Sequence, residues 1–263
     1  MDTGQGKVYI VGAGPGNPEY LTVRGQRCLQ QAEVLVYDAL VSEEMLSWLP
    51  MGCDRIYVGK RGGQPSPEQA QINQILVEQC QRGQQVVRLK SGDPLIFGRT
   101  TAEIQALREA GCAYELVPGV SSALAGPLLA GIPLTDPVFS PGFAVVTGHD
   151  LEALDWEALA RIKTLVILMG TRTLAEICQQ LLRHGLRSEM PIAIIRWASQ
   201  PQQQVWQGTL LNILQITKGQ PLSPSVVVIG EVVGLRPYLQ PEENSPRNSL
   251  ASSPIDSPID QPE

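Results

Sequence analysis

The chain of 263 residues has few of the residues from which metal centres and disulfide frameworks are built. It holds two histidines, His149 and His184, so a multi-histidine metal site is excluded. Its five cysteines are far apart, odd in number and without a C-x-x-C pair. This spacing argues against a disulfide framework or a zinc site and predicts reduced cysteines in the core. We therefore predict no metal.

Long apolar runs and blocks of positive charge are also absent. No apolar run approaches the roughly 18 residues that cross a bilayer, and residues 1–7 lack the apolar core of a signal peptide. Of the net charge of −6, residues 240–263 contribute −4, so the body is nearly neutral and has no Lys/Arg block. These features predict a cytoplasmic protein that binds neither membrane nor nucleic acid.

Short apolar runs alternate with helical stretches, which predicts an α/β fold. The runs do not alternate with polar residues, a pattern typical of parallel strands covered on both faces. The predicted strands are residues 8–11, 34–37, 86–89, 114–117, 144–147, 165–169, 192–195 and 226–229.

Capping boxes predict two of the helix starts, at residues 100–103 (TTAE) and 173–176 (TLAE), with stops at Gly111 and Gly185. A turn-rich break at residues 131–137 predicts a domain boundary. We expect an N-terminal α/β domain over residues 1–134 and a C-terminal α/β domain over residues 135–239. Residues 240–263 are rich in Pro, Ser and acidic residues and are predicted to be disordered.

The first predicted strand runs into a glycine-rich turn, residues 12–18 (GAGPGNP). It is similar to the dinucleotide fingerprint but has Asn17 at the third glycine, and Pro15 and Pro18 remove backbone donors. Asp38, after the second strand, could serve as the ribose-binding acid of such a site. It could equally cap a helix that begins near Ser42.

A second loop, residues 88–99 (RLKSGDPLIFGR), follows the third strand. Asp93 offers a carboxylate to ribose hydroxyls or an ammonium group, and Arg88, Lys90 and Arg99 bracket it with positive charge. The alternative is a purely structural role, in which the segment forms a type I turn with solvated flanking residues.

Two further segments complete the set. Residues 117–123 (VPGVSSA) hold a serine pair that either caps a helix or binds a ligand, and residues 58–63 (VGKRGG) hold two cations that a solvated loop would also explain. Because the carboxyl ends of parallel strands meet at one edge of a sheet, these loops predict a shared ligand crevice.

Taken together, these segments resemble the tetrapyrrole methylase family, and the resemblance covers about residues 7–239. Three further segments contribute to it: VTGH at 146–149, LVILMG at 165–170 and VVVIGEVVGL at 226–235. The resemblance implies two α/β domains with S-adenosylmethionine in the cleft between them, usually in a homodimer. It implies Asp38 as proton acceptor and Lys60 as proton donor. The implied cofactor contacts are Pro15, Ser91, Gly92, Asp93, Ile96, Ser121, Ser122, Met169 and Ala198.

Within the family, the chain most resembles the members that methylate uroporphyrinogen III at C2 and C7. The product, precorrin-2, feeds sirohaem and cobalamin synthesis, and we expect no second catalytic module before the short tail. From charge alone, we predict that Arg61, Arg88 and Arg99 bind carboxylates of the substrate.

The chain departs from the family pattern at three places. Ser91 stands for a usual glycine, as in the precorrin-4 branch. Residues 100–103 read TTAE instead of GGEE, and Asp136 and Pro137 replace a usual His-Arg pair. Three alternatives stay open. Ser91 suggests a later corrinoid methyltransferase, the first glycine turn and Asp38 suggest an NAD(P)-binding oxidoreductase, and Asp136-Pro137 and the tail suggest a non-catalytic protein that kept the fold.

Overall fold

The computed structural model describes residues 6–59 and 68–239, which form two five-stranded sheets flanked by helices. The first sheet is entirely parallel, with strand order β3-β2-β4-β1-β5. Its strands are β1 (Lys7–Gly12), β2 (Val34–Tyr37), β3 (Asp54–Tyr57), β4 (Gln85–Lys90) and β5 (Ala113–Val117).

Both faces of the first sheet are buried. Along β1, Val8 and Ile10 point into one apolar cluster, whereas Val11 joins the cluster on the opposite face. Because a strand sends successive side chains to opposite faces, a strand covered on both sides must be apolar throughout. This explains the non-alternating pattern of the sequence.

The second sheet is mixed, with order β6-β7-β10-β8-β9. Only β6 and β7 pair in parallel, and the other three pairings are antiparallel. The prediction of parallel strands is therefore wrong here, because non-alternating apolar runs report burial of both faces and not strand direction. The strands are β6 (Phe143–Thr147), β7 (Thr164–Leu168), β8 (Pro191–Arg196), β9 (Gln204–Thr209) and β10 (Ser225–Gly230).

Helices cover both sheets, and α5 packs on β7 and β10 of the second sheet. A domain boundary at residues 134–135 stays a prediction, and the predicted tail lies outside the described residues. The α-helices are α1 (Val23–Gln30), α2 (Glu43–Leu46), α3 (Gln69–Gln81), α4 (Thr100–Glu109), α5 (Ser122–Leu129), α6 (Trp156–Ala160), α7 (Leu174–Arg183), α8 (Ile213–Ile216) and α9 (Arg236–Leu239), with 3₁₀ turns at Pro18–Tyr20 and Glu231–Leu235.

All eight predicted strands are present, within one or two residues at their ends. The sequence analysis missed β3 and β9, each of which lies at an edge of its sheet. Edge strands are covered on fewer sides and need fewer apolar residues, so β3 (DRIY) and β9 (QVWQGT) carry no apolar run.

The predicted capping box at Thr100 is wrong. The cap of α4 is Arg99 in the left-handed conformation, and the Thr100 hydroxyl donates to the carbonyl of Pro94. Thr173 lies at the N-cap position of α7, but its hydroxyl donates to the Gly148 carbonyl (2.8 Å) and accepts no hydrogen bond from the helix amides, so no capping box forms there. The predicted helix stops are confirmed, since Gly111 and Gly185 follow α4 and α7 with positive φ.

The five cysteines are free thiols, and Cys28, Cys80 and Cys178 are buried. Burial, followed by the hydrogen bond with Cys112, raises the pKa of Cys80 to about 12. Within residues 6–59 and 68–239, no cluster of three or more His, Cys, Asp or Glu side chains could hold a metal ion. Over the same ranges, no helix combines the length and the apolar character needed to span a bilayer.

Candidate functional site

A cleft of about 530 Å³ lies where loops of the first sheet face the ends of β7, β8 and β10. This volume falls in the usual range for small-molecule sites. Every sequence-predicted site residue that the structure describes lines the cleft: Pro15, Asp38, Arg88, Ser91, Gly92, Asp93, Ile96, Arg99, Ser121, Ser122, Met169 and Ala198. Their individual roles stay predictions. Lys60 and Arg61 lie outside the described residues.

Backbone contacts between glycines bring three of these loops together. Gly14 and Gly92 exchange two hydrogen bonds, of 3.2 and 2.8 Å. A Cβ on Gly119 would lie 2.3 Å from the carbonyl oxygen of Gly92, and a Cβ on Gly12 would lie 2.5 Å from the Gly119 Cα. Only glycine fits at such separations, because real Cβ atoms essentially never approach another heavy atom so closely.

The Asp93 carboxylate ties the same loops together. Its Oδ2 accepts from the Gly119 amide at 3.3 Å, and its Oδ1 accepts from the Leu95 amide at 2.9 Å. The carboxylate that was predicted to bind a ligand therefore also fixes the shape of the cleft floor.

The two halves of the molecule touch directly across one end of the cleft. The Asn17 amide, in the loop after β1, donates to the Ser199 hydroxyl at 2.9 Å. Gly16 lies so near Gln200, after β8, that a Cβ there would be 2.5 Å from the Gln200 amide nitrogen. The loop after β1 and the loop after β8 are therefore in direct contact.

Five non-glycine residues of the described chain have positive φ, and four of them line the cleft. These four are Phe97 (53°), Arg99 (55°), Met169 (57°) and Trp197 (52°). The left-handed conformation is costly for residues with a Cβ, and such strain concentrates at ligand sites. The strain supports the assignment of this cleft as the functional site.

A group of four charged side chains extends from the cleft, at Asp38, to the protein interior, at Glu103. Arg88 donates from one terminal nitrogen to Asp38 Oδ1 at 2.7 Å and from Nε to Glu103 Oε1 at 3.0 Å. Lys90 donates to both oxygens of Glu103, at 2.8 and 2.9 Å. Glu103 is fully buried, Arg88 and Lys90 are nearly so, and the Asp38 side chain is 30% exposed. The two positive charges of Arg88 and Lys90 equal the two negative charges of Asp38 and Glu103, so the group is neutral overall.

The pKa directions follow from this arrangement. Burial acts to lower the pKa of Arg88, but the charges of Asp38 and Glu103 outweigh it and the pKa is raised. Burial, followed by repulsion from Arg88, lowers the pKa of Lys90 despite its bonds to Glu103. Arg88 therefore stays charged, and its charge is fully matched.

The two predicted substrate-binding arginines differ in placement. Arg88 is 3% exposed and already bonded to Asp38 and Glu103, whereas Arg99 is exposed at the cleft. The structure therefore favours Arg99 over Arg88 as a partner for substrate carboxylates.

Two of the alternative readings lose support. Ser42, not Asp38, caps α2, since the Ser42 hydroxyl accepts from Glu44. The glycine turn after β1 does not open directly into a helix, because a 3₁₀ turn intervenes before α1 starts at Val23. A dinucleotide fingerprint requires that direct entry into a helix.

Several residues of the site were not predicted from the sequence, among them the apolar residues Leu168, Ile195 and Val226. Trp197 and Gln200 line the cleft after β8, and Glu103 anchors the buried charges behind it. A glutamate four residues after Arg99 was explained as a helix-capping residue, and the sequence offers no signal that it lies under two cations.

The Tetrapyrrole (Corrin/Porphyrin) Methylases family model matches residues 7–213. A protein of Synechococcus elongatus named uroporphyrinogen-III C-methyltransferase is 59% identical over 233 residues, covering 89% of this chain and 96% of that protein.

Solved structures share the fold. Uroporphyrin-III C-methyl transferase from Thermus thermophilus, complexed with S-adenyl homocysteine, is 37% identical with a TM-score of 0.76, and covers 88% of this chain and all of that one. A cobalt precorrin-4 methyltransferase has a TM-score of 0.78 at 24% identity, covering 86% of this chain and 95% of that one. The second likeness concerns the fold alone.

The close contact between Gly92 and Gly119 predicts that a single added methyl group destabilises the fold. Gly119→Ala should lower the free energy of unfolding by about 1–3 kcal/mol, because the added Cβ collides with the backbone of Gly92. Gly142→Ala is the matched control, since a Cβ there meets nothing within 4 Å. Denaturant unfolding of both variants checks the prediction, and equal stabilities would contradict it.

Proposed function

Since the chain belongs to the tetrapyrrole methylase family, we propose that it is an S-adenosylmethionine-dependent C-methyltransferase acting on uroporphyrinogen III. It methylates C2 and C7 and yields precorrin-2, a precursor for sirohaem and cobalamin, in the cytoplasm. The observation that carries the proposal is the 59% identity to a relative of that name over nearly its whole length. The precorrin-4 alternative has only a likeness of fold at 24% identity.

The cleft suits S-adenosylmethionine. The backbone of Gly92 is open to a ligand at the cleft, and the Asp93 carboxylate offers an acceptor for hydroxyl or ammonium groups. Apolar side chains of Leu168, Ile195 and Val226 form the opposite wall and suit an adenine ring. We assign the binding of the cofactor to Pro15, Ser91, Gly92, Asp93, Ile96, Ser121, Ser122, Met169 and Ala198.

The bound cofactor supplies a methyl group already activated by a sulfonium. An electron-rich pyrrole carbon attacks that methyl; the new C–C bond forms as the C–S bond breaks and its electron pair returns to sulfur. The protein mainly orients the two reactants. The methylated macrocycle is cationic and loses a proton, for which the half-buried Asp38 carboxylate is the acceptor. We assign proton donation to Lys60.

Positive charge at the cleft is directed at the substrate's carboxylates. Arg99 is exposed there and able to form charge-assisted hydrogen bonds with a carboxylate. We assign Arg61 and Arg88 to the same role. Arg88 is the weaker candidate, because it is already bonded to Asp38 and Glu103.

We further propose that the protein is a homodimer. Leu124 and Leu128 lie four residues apart on α5, so they share one face of the helix, and they are 49% and 75% exposed. Leu116, on the edge strand β5, and Val120 add exposed apolar surface next to α5 in the chain. Apolar surface of this kind marks interfaces between proteins.

Anaerobic incubation with uroporphyrinogen III and S-adenosylmethionine tests the proposed activity. We expect two molecules of S-adenosylhomocysteine per macrocycle consumed and a dimethylated product by mass spectrometry. Cofactor binding without transfer would refute uroporphyrinogen III as the substrate and redirect the assay to later corrinoid intermediates. Binding of NAD(P) without S-adenosylmethionine would overturn the proposal in favour of an oxidoreductase.

Removing the proposed proton acceptor should separate catalysis from binding. We expect Asp38→Ala to lower kcat roughly 10²-fold, since general bases contribute at least that much. The affinity for S-adenosylhomocysteine, measured by calorimetry, should change little. Equal losses of kcat and affinity would make Asp38 a structural residue.

A charge on α5 should break the proposed dimer. We expect Leu128→Asp to yield a folded monomer, because burying an unpaired carboxylate in an apolar interface is unfavourable. Leu211→Asp is the control, since Leu211 is similarly exposed (72%) but lies beside β9. Sedimentation equilibrium distinguishes the states, and a dimeric Leu128→Asp variant would exclude this face as the interface.

A further inference from the structure

A fully buried carboxylate that does not reach the cleft is connected to one that does. Glu103 lies on α4 behind the cleft wall, while Asp38 lines the cleft after β2, and Arg88 bonds to both. We propose that Glu103 is a positioning residue, which holds Asp38 in its working orientation through Arg88. This inference rests on the proposed role of Asp38 as proton acceptor.

The guanidinium of Arg88 is the rigid part of the connection. Its Nε bonds to Glu103 and a terminal nitrogen to Asp38, so one planar group is held by a carboxylate at each of two edges. Its other terminal nitrogen faces the carbonyl oxygens of Val36 (3.5 Å) and Leu89 (3.3 Å). Since the fork geometry of arginine is fixed, the bond to Glu103 sets the direction in which Arg88 meets Asp38.

The bond from Arg88 engages only Oδ1 of Asp38. A carboxylate that is held through one oxygen keeps its second oxygen available to accept a proton. Asp38 is also the partly exposed member of the group, at 30%, whereas Glu103 is fully buried. Glu103, the buried member of the group, therefore anchors Arg88, and Asp38, the exposed member, meets the substrate.

Lys90 secures Glu103 from its other side. It bonds to both oxygens of Glu103, at 2.8 and 2.9 Å, and lies beside Arg88. The Glu103 carboxylate is therefore fixed between two cations of β4, which makes it a firm anchor for the guanidinium of Arg88.

Kinetics of Glu103→Gln test the proposal. The amide keeps the shape of the side chain and removes its charge. We expect kcat to fall by about tenfold or more, in keeping with the loss that a misplaced catalytic group causes. The KM for S-adenosylmethionine and the calorimetric affinity for S-adenosylhomocysteine should stay within about twofold. Glu157→Gln, which removes an exposed carboxylate paired with Arg161, is the control and should match the wild type.

A double-mutant cycle with Asp38→Ala separates positioning from a general loss of structure. In the Asp38→Ala background, Glu103→Gln should change kcat by less than about twofold, because the group that it positions is gone. An equal fall of kcat in both backgrounds would overturn the proposal. If Glu103→Gln does not fold, Arg88→Lys breaks the same link, since an ammonium lacks the two-edged fork, and should reproduce the low kcat with unchanged cofactor affinity.

The outcomes distinguish this inference from the function on which it rests. A wild-type protein without methyl transfer would refute the proposed function. Methyl transfer that survives Asp38→Ala would refute Asp38 as acceptor and this role of Glu103 with it. Methyl transfer that depends on Asp38 but not on Glu103 or Arg88 would overturn the positioning role alone.

Discussion

The cleft depends on backbone meeting backbone at Gly12, Gly92 and Gly119. Gly12 is the last residue of β1, Gly92 and Gly119 lie just after β4 and β5, and no side chain can stand between the three glycines. Because these loops touch, side chains that are far apart in the sequence, such as Asp93 and Ser121, line a common floor. Close packing of the first sheet alone would bring the strands together but would not set the positions of their loops.

The second sheet completes the site through a smaller contact. The Asn17 amide meets the Ser199 hydroxyl, and the strained residues Met169 and Trp197 project from the ends of β7 and β8 toward the loops of the first sheet. Strain of this kind persists only where surrounding structure enforces it. The parallel half therefore provides the acidic and glycine-rich floor, and the mixed half provides an apolar wall held at a fixed distance.

Much of this architecture could be predicted from the sequence, because six of the eight predicted strands are apolar runs that are largely buried on both faces. The edge strands β3 and β9 were missed since polar edges leave no such run. Strand direction in the second sheet was predicted wrongly because burial on both faces is compatible with either direction. The assignment of individual cofactor contacts came from resemblance to a family, whereas the loops alone predicted a shared ligand crevice without naming its ligand.

The residues around Glu103 show where local pattern fails. Thr100 and Glu103 match a capping box, yet the Thr100 hydroxyl bonds to Pro94 and the Glu103 carboxylate lies between Arg88 and Lys90. A capping pattern is read within one helix, whereas the partners of Glu103 come from β4, over ten residues away. Tertiary contacts between charges have no signature in local spacing.

The neutrality of the buried quartet has a consequence for how the protein can evolve. Replacing one of the buried members, Arg88, Lys90 or Glu103, by an uncharged residue leaves an unmatched buried charge, which is strongly unfavourable. Substitution of a cation together with a carboxylate preserves neutrality. In proteins that diverge from this chain, Lys90 and Glu103 should therefore be lost or kept as a pair. The residue types at these two positions should covary.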